Sequence, residues 1–300
     1  MIRILAPAKV NLSLRVLARE ASGFHQLETV FAGLEFGDSL SLLRRRGSGI
    51  SLETDGPHLG PPEKNLVYRA AKGFLELAER DVGLEIRLTK RIPVQGGLGG
   101  GSSDAGATLK ALSALFPGWV SGADLLKLAG ELGSDVPFFL SPSPLALAWG
   151  RGDRLLALPP LPRTPAVLAI PPLGVRTPEA YRLLSVGRGE TPPSCPPCLH
   201  TLQGLGSWEE MAARAENDFE RVVFEAFPLL GRIRRSLQKE NPLLSLLSGS
   251  GSSLFAIFPG EREARGGLAR LQEEFPETRF ILTHTLTESP DPISGSGVEL

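Results

Sequence analysis

The sequence predicts two domains, each mixing strands with helices. Three observations point there. The chain has 300 residues, a natural length for two domains of about 150 residues each. Runs of apolar–polar alternation are interleaved with runs carrying an apolar stripe at helical spacing. A proline-crowded stretch holding Pro142, Pro144, Pro159, Pro160, Pro162 and Pro165 then interrupts the pattern, which places a boundary near residue 155. The expected division is 1–155, 156–287, and a tail 288–300 with two Pro and two Gly that is expected to be mobile.

From Lys9 to Val16 the residues alternate, with Val10, Leu12, Leu14 and Val16 on one face and Lys9, Asn11, Ser13 and Arg15 on the other. That predicts a half-buried strand, with Lys9 and Asn11 about 6.6 Å apart along its polar face. Ala21-Ser22-Gly23 breaks the pattern before Phe24-His25. An extended run from Leu27 to Leu43 follows, with Gly37-Asp38 as its expected turn. Asn65 opens a helix to about Arg80, striped by Leu66, Ala70, Phe74 and Leu77. Leu84 to Leu88 alternate again as a strand. Beyond the loop that follows, a helix is expected from Ala105 to Phe116, and another from Ser121, its cap, to Leu132, closed by Gly133. Val136 to Leu140 reads as a buried strand.

In the second half, Ala166 to Ile170 is an expected strand. Helices are expected at Trp208–Phe227 and Leu229–Glu240, then strands at 243–247 and 254–258 around a Gly-Ser turn. A helix over 261–274 and a strand over 280–285 complete the series.

Composition narrows the function. A hydrophobic fraction of 42% and a charged fraction of 22% are ordinary globular values and exclude global disorder. Lys and Arg number 32 against 33 Asp and Glu, a net charge of −1. Non-specific nucleic-acid binding draws on a large positive field, which this chain lacks. Two cysteines make no disulfide framework and fit a reducing compartment. No signal-peptide pattern opens the chain, and no run of 18 apolar residues suggests a membrane span. The expectation is a soluble cytoplasmic protein, a monomer or a homodimer.

The most specific signal is Pro93-Val94-Gln95-Gly96-Gly97-Leu98-Gly99-Gly100-Gly101-Ser102-Ser103-Asp104, between an expected strand and an expected helix. Gly96 to Ser103 holds five glycines and two serines in eight residues. Glycine keeps no side chain between backbone and ligand, so successive N–H groups can converge on an anion. The following helix adds its positive end. A flexible linker would have a similar composition, but linkers do not usually join a well-patterned strand to a helix. No Lys follows the glycines as in G-x-x-x-x-G-K-[ST], and G-x-G-x-x-G begun at Gly97 fails at Ser102. The loop therefore reads as a phosphate cradle of another kind.

P-x-x-x-G-L-G-G-G-S-S resembles the second motif of the GHMP kinase superfamily. Pro7-Ala8-Lys9-Val10-Asn11-Leu12 followed by Gly23-Phe24-His25 resembles the first motif of its 4-diphosphocytidyl-2-C-methylerythritol kinases. Asn65-Leu66, Gly133-Ser134-Asp135-Val136-Pro137-Phe138-Phe139, Asn217-Asp218-Phe219-Glu220 and Ser248-Gly249-Ser250-Gly251 are similar to the same family, in order, from residue 6 to residue 258. Two positions depart from its pattern: Gln95 stands where Gly is usual, and Phe24 where Tyr is common.

The resemblance implies an α+β fold, with an N-terminal ribosomal-protein-like domain and a C-terminal ferredoxin-like domain. It implies ATP-dependent phosphorylation of the 2-hydroxyl of 4-diphosphocytidyl-2-C-methylerythritol, a step of non-mevalonate isoprenoid precursor synthesis, with Mg²⁺ accompanying ATP. Lys9 and Asp135 are the implied catalytic pair. Asn11, Phe24, His25, Thr177 and Tyr181 are implied to bind substrate. Asn65, Lys90, the loop Pro93–Asp104, Gly249 and Gly251 are implied to bind ATP. No protein metal ligand is implied.

Blander readings stand beside these. Lys9 alone could be a solvated strand lysine, Asp135 a helix-terminating aspartate and His25 a structural histidine. Two functional alternatives also stay open: another GHMP kinase acting on a sugar, homoserine or mevalonate, and a non-catalytic ATP-binding sensor. The joint presence of Lys9 and Asp135 argues against the sensor, and Gly23-Phe24-His25 against the kinases of non-cytidine substrates. Cys195 and Cys198 lack the partners a structural zinc needs and read as a proline-rich loop. Arg151-Gly152-Asp153 reads as a turn.

Overall fold

The computed structural model describes residues 1–20, 23, 25–56, 60–188 and 205–294; Phe24, Cys195 and Cys198 lie outside them. β1 (Ile2–Arg19) and β2 (His25–Arg45) form a long antiparallel pair. The turn expected at Gly37-Asp38 is absent, because β2 runs through both residues. Gly37 is required by β1 passing against it: a Cβ there would lie 2.4 Å from the Ala6 carbonyl oxygen. Asp38 is buried, and its carboxylate accepts the backbone N–H groups of Arg91 and Ile92. Two residues with turn chemistry are thus committed to tertiary contacts instead. β1 also differs from expectation, since Lys9, Asn11, Ser13 and Arg15 are buried along with its apolar face.

The first half continues with β3 (Ile50–Asp55), α1 (Leu66–Leu77), β4 (Gly83–Thr89), α2 (Gly100–Leu115), α3 (Gly122–Leu132), α4 (Val136–Leu140), β5 (Leu145–Gly150) and β6 (Arg154–Ala157). The Asn65 side chain caps α1 by accepting from Val67 N, and Ser121 caps α3 through Asp124 N. α2 begins at Gly100, five residues before its expected start, so the last glycines of the loop are helical. Val136–Leu140 is a short helix and not the expected strand. So short an apolar run cannot show its period, and Pro137 in the first turn suits a helix start. α4 packs closely on α2, where a Cβ on Gly106 would meet Phe139 Cβ at 2.6 Å.

In the second half, β7 (Pro165–Ile170) leads to α5 (Thr177–Arg188), α6 (Trp208–Ala212), α7 (Glu220–Ala226), α8 (Pro228–Lys239), β8 (Leu244–Leu247), β9 (Leu254–Ile257), α9 (Glu261–Glu274), β10 (Arg279–His284) and β11 (Ile293–Ser294). The helix expected over Trp208–Phe227 is interrupted between α6 and α7. Asn217 there donates to the carbonyls of Leu247 and Gly249, and Asp218 accepts from Val16 N. Side chains that bond the backbone in this way compete with the helix.

Among the described residues the strands form two sheets. The first runs β11-β1-β2-β4-β3, with β5 on the other half of β2 and β6 beside it; the second runs β10-β7-β9-β8. Only β3 and β4 pair in parallel within the first sheet. Ile4, Leu42 and Ile86 pack on α1–α3, with Phe74 and Leu112. Val10, Leu12 and Leu34 pack against Leu168, Leu246 and Phe255, so the two sheets share a core. Val167 and Ala256, on the far face of the second sheet, meet Val223, Ile233 and Leu271 from its helices.

The segment after Glu288 is docked, as far as residue 294, on the first sheet and its helices. Ser289 Oγ donates to Ser141 O, Lys110 Nζ to Pro290 O, and β11 pairs with β1 at Ile2 and Arg3. Among the described residues, no helix is long and apolar enough to cross a membrane.

Candidate active site

The glycine loop and the Gly-Ser turn of the second sheet close on each other. Ser248 Oγ donates to Gly97 O at 2.9 Å, and Ser253 N donates to Gly96 O at 3.1 Å. Gly97 has a φ of 76°, and a Cβ on it would lie 2.1 Å from the Ser248 carbonyl oxygen. Only glycine fits that approach and that conformation. Gly99, at φ 70°, opens α2, and no side chain caps the helix N-terminus. Its first N–H groups and its dipole therefore face a cleft of about 1380 Å³ lined from both halves of the chain. That combination suits an anion. Gln95, which replaces the glycine usual in the resembled family, adopts a φ of 60°. That is the left-handed region which glycine enters at no steric cost.

Beneath the loop lies Lys9, whose backbone N–H donates to Leu98 O. Its ammonium donates to Asn11 Oδ1 at 2.9 Å, sits 3.4 Å from Asp135 Oδ2, and lies 5.0 Å from the centre of the Phe31 ring. Asn11 is held in turn, donating to Thr29 Oγ1, which donates to Ser13 O. The chain of bonds fixes which way the Asn11 amide faces and hence where the ammonium sits. The Lys9 side chain is 6% exposed and that of Asp135 30%. A fixed cation thus stands behind a carboxylate that a ligand can reach. Asp135 is brought there by the tight connection between α3 and α4, where Val136 N donates to Gly133 O.

At another part of the same cleft, the rings of His25 and Tyr181 stack at 4.5 Å and 22°, and Phe219 meets Tyr181 edge-on at 4.9 Å. Burial, and then the Asp135 charge, push the Tyr181 phenol up to about 12, so it stays neutral. Thr177, at the start of α5, shares a hydrogen bond with Ser250 at 3.1 Å, tying α5 to the Gly-Ser turn.

Lys90, expected to reach ATP, is already engaged. Its ammonium bridges the carboxylates of Asp38 and Asp104, with side-chain exposures of 4%, 0% and 3%. Two carboxylates share one cation. Burial, opposed by Lys90 and reinforced by the Asp38 charge, pushes the Asp104 carboxyl up to about 7.

Of the residues named from sequence, Lys9, Asn11, His25, Asn65, Lys90, Pro93 through Ser102, Asp104, Asp135, Thr177, Tyr181 and Gly249 all line this one cleft. Ser103 does not; it is buried inside α2. Gly251 lines a smaller neighbouring cavity of about 250 Å³. Sequence reasoning missed Lys64, Glu131, Arg151 and Arg182, which also line the cleft. Arg151-Gly152-Asp153 is a turn, as expected, yet it stands at the cleft, where Arg151 pairs with Glu20. No local pattern marks these four residues, because only the folding of distant segments brings them there.

Two family models match the chain: the GHMP kinases N terminal domain over residues 65–142 and the GHMP kinases C terminal domain over 199–277. A 4-diphosphocytidyl-2-C-methyl-D-erythritol kinase of Pelotomaculum thermopropionicum is 38% identical, over 95% of this chain and 98% of its own. One of Moorella thermoacetica is also 38% identical, over 94% and 98%. A crystal structure of 4-(cytidine 5'-diphospho)-2C-methyl-D-erythritol kinase, 39% identical, superposes with a TM-score of 0.77 over 95% of this chain and 99% of that one. A homoserine kinase of Cytophaga hutchinsonii, 20% identical with a TM-score of 0.73, shares the fold. With identity at this level sustained over nearly the whole of each chain, and both domains matched in order, the chain belongs to the 4-diphosphocytidyl-2-C-methyl-D-erythritol kinase family of GHMP kinases.

Proposed function

We propose that the cleft transfers the γ-phosphate of ATP to the 2-hydroxyl of 4-diphosphocytidyl-2-C-methyl-D-erythritol, in non-mevalonate isoprenoid precursor synthesis. The observation that carries this reading is the Lys9–Asp135 pair, 3.4 Å apart, in the same cleft as the uncapped N-terminus of α2. Phosphoryl transfer needs positioning and charge stabilisation more than covalent help. The loop N–H groups and the α2 dipole hold the phosphates. Asp135 accepts the hydroxyl proton as that oxygen attacks phosphorus, and ADP leaves. Lys9 balances charge on the group in transit. Tyr181 and His25 offer aromatic faces for the cytosine, with Phe24 as a further one.

Mg²⁺ arrives with ATP. The ion is held chiefly by the phosphates and water. The chain works in the cytoplasm, and it divides functionally near residue 155, between β6 and β7.

The test is to incubate the protein with ATP and a panel of alcohols and follow ³¹P NMR. A new phosphomonoester is expected with the cytidine substrate and not with a sugar, homoserine or mevalonate. No phosphomonoester from the cytidine substrate would overturn the proposal.

A further inference from the structure

Both ends of the glycine loop are tied to one buried ion cluster. We propose that Asp38 and Asp104, acting through Lys90, are positioning residues that set the loop for the phosphates of ATP; this rests on the ATP reading above. At the loop's entry, Asp38 on β2 accepts the backbone N–H groups of Arg91 and Ile92 and pairs with the Lys90 ammonium. At its exit, the same ammonium donates to Asp104 Oδ2 at 2.7 Å, in the first turns of α2. One cation therefore joins the central strand of the sheet to the helix end that faces the cleft. The ammonium lies 3.3 Å from where a Cβ on Gly100 would stand, directly beside the turn whose N–H groups cradle the anion.

The cluster is a poor device for stability alone. Burying charges is costly, and well-packed apolar residues often serve stability as well or better. Asp104 Oδ1 is buried without a hydrogen-bond partner among the described residues. What the cluster supplies is direction. A bridge of short charge-assisted bonds fixes the loop's two ends relative to each other, and misplacing a binding group by about 1 Å can cost 100-fold in rate.

The test measures ATP affinity by calorimetry on the full chain, alongside thermal unfolding. Asp104→Ala cuts the bridge at α2 while leaving Lys90 and Asp38 balanced one to one. ATP Kd should rise about tenfold, the scale of losing one hydrogen bond to a charged group, while affinity for the cytidine substrate holds. Asp104→Asn keeps an oxygen for Lys90 to reach and should recover most of the loss. Asp38→Asn reads the bridge from the other end and should also weaken ATP about tenfold. A merely structural role would lower Tm and the active fraction while leaving ATP Kd in place. The inference is overturned if Asp104→Ala and Asp38→Asn both bind ATP within twofold of the unaltered chain, or if Asp104→Asn is as weak as Asp104→Ala. Failure of the unaltered chain to bind ATP would overturn the proposed function and this inference with it.

Discussion

Replacing Gly101 with Ala should make the protein more heat-stable and worse at holding ATP. Gly101 lies in the first turn of α2, with no left-handed backbone to preserve. A Cβ there would have Leu66 Cδ1 as its nearest contact at 3.5 Å, an ordinary van der Waals distance. Ala is favoured over Gly in a helix by up to about 1 kcal/mol, which for a chain of this size raises Tm by about 2 °C. The same methyl group adds bulk to a position that lines the cleft, where the proposed function places the phosphates. Losing one charged N–H contact costs about 1.5–3 kcal/mol, or about 10- to 150-fold in Kd. Gly97→Ala is the contrast within the same loop. Its Cβ would stand 2.1 Å from Ser248 O at a φ of 76°, so the backbone must shift and Tm should fall. Thermal unfolding and ATP calorimetry on both variants decide the matter. A lowered Tm in Gly101→Ala, or ATP affinity within threefold of the parent, would refute the cradle geometry.

Asp135→Asn should lower kcat by about 10²–10⁴-fold, the usual range for general-base help, with ATP Kd little changed; full activity in a steady-state assay would leave transfer to positioning alone. Tyr181→Ala removes one aromatic face and should weaken the cytidine substrate by about 1–3 kcal/mol, with ATP affinity spared, as titration with each ligand would show. Asp104 has a folded-state pKa raised to about 7 from 3.8, so the folded chain holds more protons than the unfolded one between those values. Its contribution to stability is complete below about pH 4 and is lost as pH rises through 7. Asp104→Asn should therefore gain stability relative to the parent between pH 5 and pH 8, and denaturant curves showing the same difference at both would contradict this. Gln95→Gly relieves a left-handed backbone costing about 1–2 kcal/mol and adds about 0.5–1 kcal/mol of unfolded-chain entropy, so unfolding curves should show a gain of up to about 1.5 kcal/mol, not a loss.

The sequence by itself determined the parts whose physics is local. Period-two alternation marked β4 and the Lys9–Val16 part of β1, and helical stripes with Asn65 and Ser121 as caps marked α1 and α3. Glycine density between a strand and a helix marked the anion loop, because converging N–H groups depend on the residues of that loop alone. Family motifs in order named most of the residues that line the cleft. The tertiary structure decided everything that depends on what lies opposite. Gly37-Asp38 has the chemistry of a turn, yet β1 and the backbone of Arg91 and Ile92 claim it for a continuous strand. Asn217 and Asp218 sit in a helical stripe, yet their side chains serve β1 and the Gly-Ser turn and break the helix. Lys90 reads as a phosphate ligand from its place beside the loop, but it is held by two carboxylates contributed 52 residues before it and 14 after it. Local periodicity records the faces that a segment presents; the partners that meet those faces are set by chain distant in sequence, and no window along the sequence contains them.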